Sequence, residues 1–295
     1  MSDSGLMHYC LGIEVWQKED NVILMQSKSA RDLLYKFNMQ DCKSLSTPME
    51  ANTKLSAFDE AKKVDAYLYR QLVGSLIYLT HTRPDIPYVV GMVSQFMQEP
   101  SQTHWKAAKR ILRYVRGMLN FGLKYDQYEA LMLVGYTNAD WPGNIDDRRS
   151  TNAHTFSYGT AATSWSSKKQ PTVALSSTEA EYCALSNATQ EVIWLQRLLT
   201  DLGKSQVDAT TVYCDNKSCI HLAKNPILHA QTKHIEIHHH SVREKIIDGT
   251  IDLVFCKYEN QVIDIFTKSL GKCKFENFHS LLGIEECNFI IEGEC

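Results

Sequence analysis

Three carboxylates in the second half of the sequence stand next to or among apolar residues, where a carboxylate is often a metal ligand or a catalytic group. Asp215 follows the apolar run Thr211–Cys214, so it either caps the next helix or binds a metal at a strand end. Glu181 lies on the apolar stripe of a predicted helix, and Asp264 stands among apolar residues early in another. A carboxylate in apolar surroundings costs free energy unless a cation compensates it. A fourth acid, Asp140, ends a predicted strand.

Such a set of acids predicts a metal centre for phosphodiester hydrolysis. Clustered carboxylates repel one another, so they are stable together around divalent cations. Two ions about 4 Å apart can activate water and stabilise the charge of a pentacovalent phosphate. We therefore predict that Glu181, Asp215 and Asp264 are catalytic metal ligands. Ser176 and Glu179 fit a capping box, which assigns Glu179 to the start of the helix instead.

The elements that must position these acids alternate in type. Apolar runs predict five strands, at Leu131–Thr137, His154–Gly159, Ala161–Ser166, Thr211–Asp215 and Asp252–Lys257. Helical spacing predicts a long helix at Thr178–Leu202, one ending at Lys224, and two more at His234–Ile247 and Asn260–Leu270. This order predicts an α/β fold with a mixed five-stranded sheet and flanking helices.

The first half of the sequence predicts a hairpin followed by helices. Two apolar strands, Leu11–Trp16 and Asn21–Met25, flank a polar turn. Helices follow at Tyr67–Thr80, at a segment capped by Asp85 with Pro87 in its first turn, and at His104–Gly117. The last of these presents five cations on one face, Lys106, Lys109, Arg110, Arg113 and Arg116. That face either follows a phosphate backbone or is an ordinary solvated surface.

The composition is that of an ordinary globular protein. The 295 residues suffice for two domains, with 44% hydrophobic residues, 22% charged residues and a net charge of -3. Nine cysteines without a CxxC pair indicate reduced thiols, as in the cytosol or the nucleus. We expect no signal peptide, because the start lacks an apolar region, and no membrane segment, because no apolar run approaches about 20 residues.

Ordered blocks across residues 5–284 resemble the Pol polyproteins of copia-type retrotransposons. Blocks similar to the reverse transcriptase after its palm are Leu11–Val15, Ser46–Met49, Tyr69–Leu76, Thr82–Ile86 and His104–Arg110. Blocks similar to the ribonuclease H that follows it are Asp146–Thr151, Ser167–Gln170, Ala174–Tyr182, Cys214–Asn216 and Asp264–Lys268.

The resemblance implies a ribonuclease H-like fold that cuts the RNA strand of an RNA–DNA hybrid with two Mg2+ ions, for which Mn2+ can substitute. It implies four segments: the end of the palm with a primer-grip hairpin (1–57), a helical thumb and connection (58–128), the ribonuclease H domain (129–284) and a tail (285–295). The implied partners are the hybrid and the remainder of the Pol polyprotein, without a membrane. The implied location is the cytoplasm, in a virus-like particle, with the nucleus as the alternative.

By the resemblance, three of the four catalytic acids of the family correspond to acids in this sequence. The second, third and fourth correspond to Glu181, Asp215 and Asp264, whereas the first corresponds to Asn138. An amide offers one neutral oxygen where a carboxylate offers two and a charge. Asp140 could substitute only with a backbone shift, because it lies about 6.5 Å further along the strand. We therefore expect impaired hydrolysis, or a hybrid-binding remnant without catalysis, and no polymerase activity from this chain.

Further candidates for nucleic-acid contacts lie in the same half. Arg148, Arg149, Lys168 and Lys169 either contact the phosphates of the hybrid or lie in solvated loops. Two amide side chains that could hydrogen-bond ribose or base edges are Gln170 and Asn216. For Asn216, a role at the start of a helix is equally compatible with the sequence.

Overall fold

The chain forms two compact units. The computed structural model describes residues 6–127, 131–141, 143–225 and 236–287, with the backbone alone for 236–240. One unit consists of the described residues of 1–129 and 270–295, and the other of those of 130–269. The sequence placed residues 270–284 with the second unit, whereas the structure places them in the first. There, Ile284 pairs with Leu123 in an antiparallel ladder.

The elements are numbered in chain order. The strands are β1 Tyr9–Cys10, β2 Ile13–Gln17, β3 Asn21–Met25, β4 Phe121–Asp126, β5 Leu133–Asp140, β6 Thr151–Tyr158, β7 Ala162–Lys169, β8 Thr210–Cys214, β9 Ile251–Phe255 and β10 Ile284–Glu286. The helices are α1 Ser27–Lys36, α2 Ala66–Leu79, α3 Pro87–Ser94, α4 Gln102–Gly117, α5 Ser177–Asp201, α6 Lys217–Lys224, α7 Glu236–Ile247 and α8 Lys272–Leu281.

In the first unit, a five-stranded antiparallel sheet has the order β1-β2-β3-β4-β10. The predicted hairpin is confirmed, since Val15 pairs with Leu24. Two residues of the predicted tail, Glu285 and Glu286, lie in β10. The remainder of that tail beyond Cys287 lies outside the described residues.

In the second unit, a five-stranded mixed sheet has the order β7-β6-β5-β8-β9. Strands β5, β6 and β7 are antiparallel neighbours, whereas β8 and β9 run parallel to β5. Helix α5 buries its apolar stripe, including Leu185, Ala188 and Val192, in one core with Phe156 and Val212 of the sheet. The predicted mixed five-stranded α/β sheet with flanking helices is confirmed.

Two local predictions are wrong. The predicted helix Asn260–Leu270 is replaced by two short 3-10 helices, Tyr258–Asn260 and Val262–Phe266. Asp85 does not cap α3, which follows Ile86 without a side-chain cap, although Pro87 does occupy its first turn. The predicted helix start at His234 lies outside the described residues.

Asp85 instead forms a buried ion pair with Arg83. Arg83 donates to its two oxygens, from Nε at 2.9 Å and from Nη2 at 2.6 Å, and the Tyr114 hydroxyl donates as well. Burial alone would raise the pKa of Asp85, but the Arg83 charge and these hydrogen bonds hold it below its usual value.

Among the described residues, no helix has both the length and the apolar character needed to cross a bilayer.

Asp85→Asn is expected to destabilise the protein by about 3–5 kcal/mol, because it leaves the Arg83 guanidinium buried without a counter-charge. Urea unfolding of the variant and the parent measures this difference. The matched control is Asp126→Asn, which removes the partly exposed partner of Lys124 at 3.3 Å and is expected to cost less than about 1 kcal/mol. Equal losses in the two variants would contradict the buried pair.

Gly135 on the central strand β5 leaves room for an aromatic ring. It lies opposite Phe156 of β6, and a Cβ at this position would stand 2.1 Å from the Phe156 Cε1 atom. No side chain larger than hydrogen fits beside that ring. The glycine therefore lets the fully buried Phe156 fill the core beneath α5.

Gly135→Ala is expected to reduce the free energy of unfolding by about 1–3 kcal/mol, because the core is overpacked. Thermal or urea unfolding measures the loss, and combining the change with Phe156→Leu should recover part of it. As a control, Gly74→Ala changes an exposed glycine inside α2 with no atom within 4 Å of the new Cβ. That change should stabilise the protein, by up to about 1 kcal/mol. Additive effects of Gly135→Ala and Phe156→Leu would contradict the steric explanation.

Candidate active site

Four side chains at one edge of the mixed sheet form the candidate site. Asn138 lies near the end of β5, and Asp215 directly follows β8, which runs parallel to β5. Glu181 lies in the second turn of α5, whose start is fixed by the Ser176 side chain accepting from the Glu179 amide at 3.1 Å. Asp264 lies in the second 3-10 helix.

Asn138 and Asp264 are joined by a buried hydrogen bond. Asn138 Nδ2 donates to Asp264 Oδ1 at 2.8 Å, and the Lys268 ammonium donates to the same oxygen at 3.0 Å. Asp264 is fully buried and Asn138 is 2% exposed. Burial alone would lower the pKa of Lys268, but the charge and hydrogen bond of Asp264 raise it. An ammonium group and an amide therefore satisfy Asp264 within the protein.

Glu181 and Asp215 form the less compensated part of the site. Glu181 is 6% exposed, and its Oε2 accepts from the Ala139 amide at 3.1 Å. Burial, followed by the neighbouring Cys214 and Asp215, raises the pKa of Glu181 well above its usual value. Burial and the Asp264 charge also raise the pKa of Asp215, with Lys268 opposing. Both carboxyl groups would gain from a cation beside them.

The spacing of these groups suits one cation better than two. Donor atoms of Glu181, Cys214 and Asp215 all lie within 4.8 Å of one another. Ligand atoms about 2.0–2.3 Å from a shared ion stand at most about 4.6 Å apart, so small side-chain adjustments suffice. Asp264 is less suited to a second ion, because its Oδ1 already accepts from Asn138 and Lys268.

Several sequence relatives of the chain are retrotransposon Pol polyproteins. The chain is 41% identical over 284 residues to the retrovirus-related Pol polyprotein from transposon RE1 of Arabidopsis thaliana, covering 96% of this chain and 19% of that protein. It is 38% identical over 293 residues to the retrovirus-related Pol polyprotein from transposon TNT 1-94 of Nicotiana tabacum, covering 96% and 22%. The chain belongs to the copia-type retrotransposon Pol polyproteins. It spans about a fifth of the length of these curated relatives.

No protein-family model matches the chain. Among solved structures, ribonuclease H1 LC11, isolated from compost by a metagenomic approach, is 18% identical with a TM-score of 0.33, covering 47% of this chain and 94% of its own. The membership in the copia-type Pol family is established by the sequence relatives.

Asp140 lies beside the acidic group, on the same strand as Asn138. It lies two residues beyond Asn138 on β5 and is half-buried. A Cβ on Gly143 would stand 2.8 Å from Asp140 Oδ2, so this oxygen lies against the turn after β5. Its charge also acts on Lys268. Asp140 thus contributes to the electrostatics of the site without taking the position of Asn138.

Four predicted nucleic-acid contacts lie at the same end of the sheet. Asp140 pairs with Thr151, which in turn pairs with Lys169 on the edge strand β7. Two inter-strand spacings, about 10 Å, therefore separate the acidic strand from the cationic one. Lys168 is exposed, and so are Arg148 and Arg149 in the loop before β6. Asp147 holds Lys169 at 2.7 Å and Arg149 at 3.7 Å.

The two predicted amide contacts have structural roles. Gln170 is 3% exposed, and its amide donates to the Asn152 side chain and, at 3.0 Å, to the Ala180 carbonyl. The prediction that Gln170 contacts nucleic acid is therefore replaced by a bond between β6 and α5. Asn216 caps α6 by accepting from the Cys219 amide at 2.9 Å, which is the helix-start alternative.

Three of the five cations of α4 bind a loop of their own unit. Arg110 pairs with Glu50 at 2.8 Å, while the Nε atoms of Arg113 and Arg116 donate to backbone carbonyls at 2.8 and 2.5 Å. The carbonyls belong to residues 43 and 40. Among the remaining two, Lys109 lies 5.8 Å from the Trp105 ring centroid and Lys106 is exposed. A phosphate-binding role for this face stays a prediction.

The sequence missed Lys268 and Cys214 as members of the site. Both stand in the blocks that resemble the family, next to or one turn from an acid. Lys268 stands four residues after Asp264, a spacing that indicates an ion pair. Cys214 directly precedes Asp215 in the sequence and therefore lies next to it. Their side-chain directions, however, depend on how the sheet edge is assembled.

Glu181→Gln is expected to stabilise the protein at neutral pH without divalent cations, because a neutral amide avoids the cost of a buried carboxylate beside Asp215. Because the pKa of Glu181 is raised, the folded state binds this proton more tightly than the unfolded state does, so the parent loses stability as pH rises above the ordinary value of 4.5. The advantage of the variant should vanish below that pH, where both states are protonated. Urea unfolding across pH 4–8 measures it.

The exposed Glu244→Gln serves as the control and should shift stability by less than about 0.5 kcal/mol at every pH. If Glu181→Gln had the same small, pH-independent effect, the carboxyl group would not be under the burial and repulsion described above.

Proposed function

We propose that the second unit is a ribonuclease H-type module that hydrolyses the RNA strand of an RNA–DNA hybrid, with a centre weakened by Asn138. The observation that carries this proposal is the convergence of four side chains at one sheet edge. Three acids, Glu181, Asp215 and Asp264, stand at the positions matched to the family, and Asn138 Nδ2 lies 2.8 Å from Asp264 Oδ1.

The carboxylates divide into two roles in this proposal. Glu181 and Asp215 would hold a divalent cation, Mg2+ or in its place Mn2+, because their oxygens are close and their charges are under-compensated. When bound, the cation supplies an activated water and stabilises charge on the phosphate. Asp264 holds Asn138 and Lys268 in place. A second ion would require a carboxylate at position 138.

The surrounding charges favour a nucleic-acid substrate. Lys168, Lys169, Arg148 and Arg149 lie at the sheet end that carries the acids, so phosphates could be held while the cleaved bond faces the centre. The net charge of -3 leaves this basic edge as a local feature. We propose the RNA–DNA hybrid as substrate, the remainder of the Pol polyprotein as partner, and the cytoplasm as the place of action.

A second candidate function is hybrid binding without cleavage. The Asn138–Asp264–Lys268 network favours it, because a protein ammonium group supplies the positive charge at Asp264. Asn138 offers one neutral oxygen, and its amide hydrogens face Asp264. Under this alternative the basic edge still binds phosphates, while the centre lacks the charge needed to hold two ions.

Asn138→Asp is expected to raise the cleavage rate of a labelled RNA–DNA hybrid in Mg2+ or Mn2+ by about a hundredfold or more, because a metal-bound carboxylate contributes several kcal/mol to the transition state. Adding Asp215→Asn should abolish cleavage. The matched control is Asn38→Asp, the same chemical change at an exposed residue of the other unit, which should leave the rate unchanged.

The outcomes separate the two candidates. Cleavage by the parent that Asp215→Asn removes supports the weakened nuclease. Cleavage only after Asn138→Asp supports the binding alternative for the natural chain. No cleavage by a folded Asn138→Asp protein that still binds the hybrid would refute a ribonuclease H-type centre.

A further inference from the structure

Cys214 brings a thiol to the acidic edge of the sheet. It is the last residue of β8 and, like Val212 two residues earlier, it is fully buried in the core shared with α5. Glu181 comes from that helix, and Asp215 follows Cys214 directly. The Sγ atom lies within 4.8 Å of a carboxylate oxygen of each. One sulfur and two oxygens thus surround a common point.

The Cys214 side chain exchanges hydrogen bonds with the backbone of Asn216. The Asn216 amide points its N–H at the Cys214 Sγ, at 3.5 Å. The Cys214 thiol also donates to the Asn216 carbonyl oxygen, at 3.9 Å. The thiolate that binds a metal forms when the cation replaces the thiol proton.

A buried amide oxygen without a partner lies at the same place. Gln261 is fully buried, and its Nε2 donates to the Thr137 carbonyl at 3.3 Å. The Gln261 side chain also lies close enough to Asp215 to act on the pKa of that carboxyl group, which it lowers. Among the described residues, its Oε1 has no hydrogen-bond partner. A buried carbonyl oxygen left unpaired is unfavourable, and an electropositive ligand would relieve it.

We propose that Cys214, Glu181 and Asp215, with Gln261 Oε1 as a further donor, form a mixed sulfur–oxygen cation site that prefers Zn2+ and Cd2+ to Mg2+. Mg2+ requires oxygen ligands in a near-ideal octahedron, whereas Zn2+ accepts thiolate and carboxylate in a tetrahedron. Binding replaces the thiol proton, which is released to solvent as the sulfur–metal bond forms.

The inference bears on the regulation of the proposed centre. It rests on the proposed function in that Glu181 and Asp215 serve both sites, so a bound Zn2+ excludes Mg2+ from them. The cation site itself needs no nucleic acid and no hydrolysis. Direct binding measurements therefore test it whether or not the chain cleaves a hybrid.

The experiment is a titration of the full chain with Cd2+, followed by the ultraviolet absorption of the thiolate–Cd2+ bond. All proteins in the experiment carry Cys10→Ser, Cys273→Ser and Cys295→Ser. These changes replace two exposed thiols and the thiol of the last residue. In that background we expect a saturable band that Zn2+ displaces at similar concentrations. Mg2+ in large excess should leave the band in place.

Variants assign the band to the proposed ligands. Cys214→Ser should remove it, whereas Cys183→Ser, at a half-buried thiol on α5, should retain it. Asp215→Asn keeps every thiol and should weaken Cd2+ binding by at least about tenfold, because even partners outside the ligand shell cost that much. Circular dichroism checks that each variant is folded.

Two results would overturn the proposal. One is a band of unchanged affinity in folded Cys214→Ser protein, or in Asp215→Asn if Cys214→Ser fails to fold. The other is displacement of Cd2+ by Mg2+ at comparable concentration. Neither depends on hybrid cleavage, so failure of the proposed function and failure of this site are distinguishable.

Discussion

The candidate site depends on one buried hydrogen bond, from Asn138 Nδ2 to Asp264 Oδ1. Asp264 is fully buried, and a charge taken out of water needs partners that neutralise it and fill its hydrogen-bonding positions. Lys268 provides the charge and Asn138 provides a second donor to the same oxygen. This arrangement compensates one acid from within the protein, and leaves Glu181 and Asp215 as the pair with raised pKa values.

The same requirement shapes the rest of the chain. Arg83 and Asp85 neutralise each other in the core of the first unit, and three arginines of α4 bind loop carbonyls or Glu50. Three of the five α4 cations that the sequence suggested for nucleic-acid binding thus stabilise the fold of their own unit. In the second unit, Lys168 and the arginines before β6 remain exposed at the edge that also carries the acids.

The side chains of the candidate site differ in the cations that suit them. A ring of carboxylates selects hard ions through oxygen ligands, whereas a site with fewer carboxylates and a nearby thiol gives more weight to sulfur. Asn138 faces Asp264, and Cys214 faces Glu181 and Asp215, so the two halves of the centre differ in chemistry.

The sequence by itself determined the periodic elements and the acidic positions. Apolar runs located β5 and β8, the helical period located α5, and the family blocks assigned Glu181, Asp215 and Asp264. Only the tertiary structure decided that Gln170 is buried, that Asp85 pairs with Arg83 instead of capping a helix, and that Val262–Phe266 is a 3-10 helix. It also decided that residues 270–284 join the first unit. The reason is that period and propensity act between near neighbours, whereas burial and ion pairing depend on residues that only the folded chain brings together.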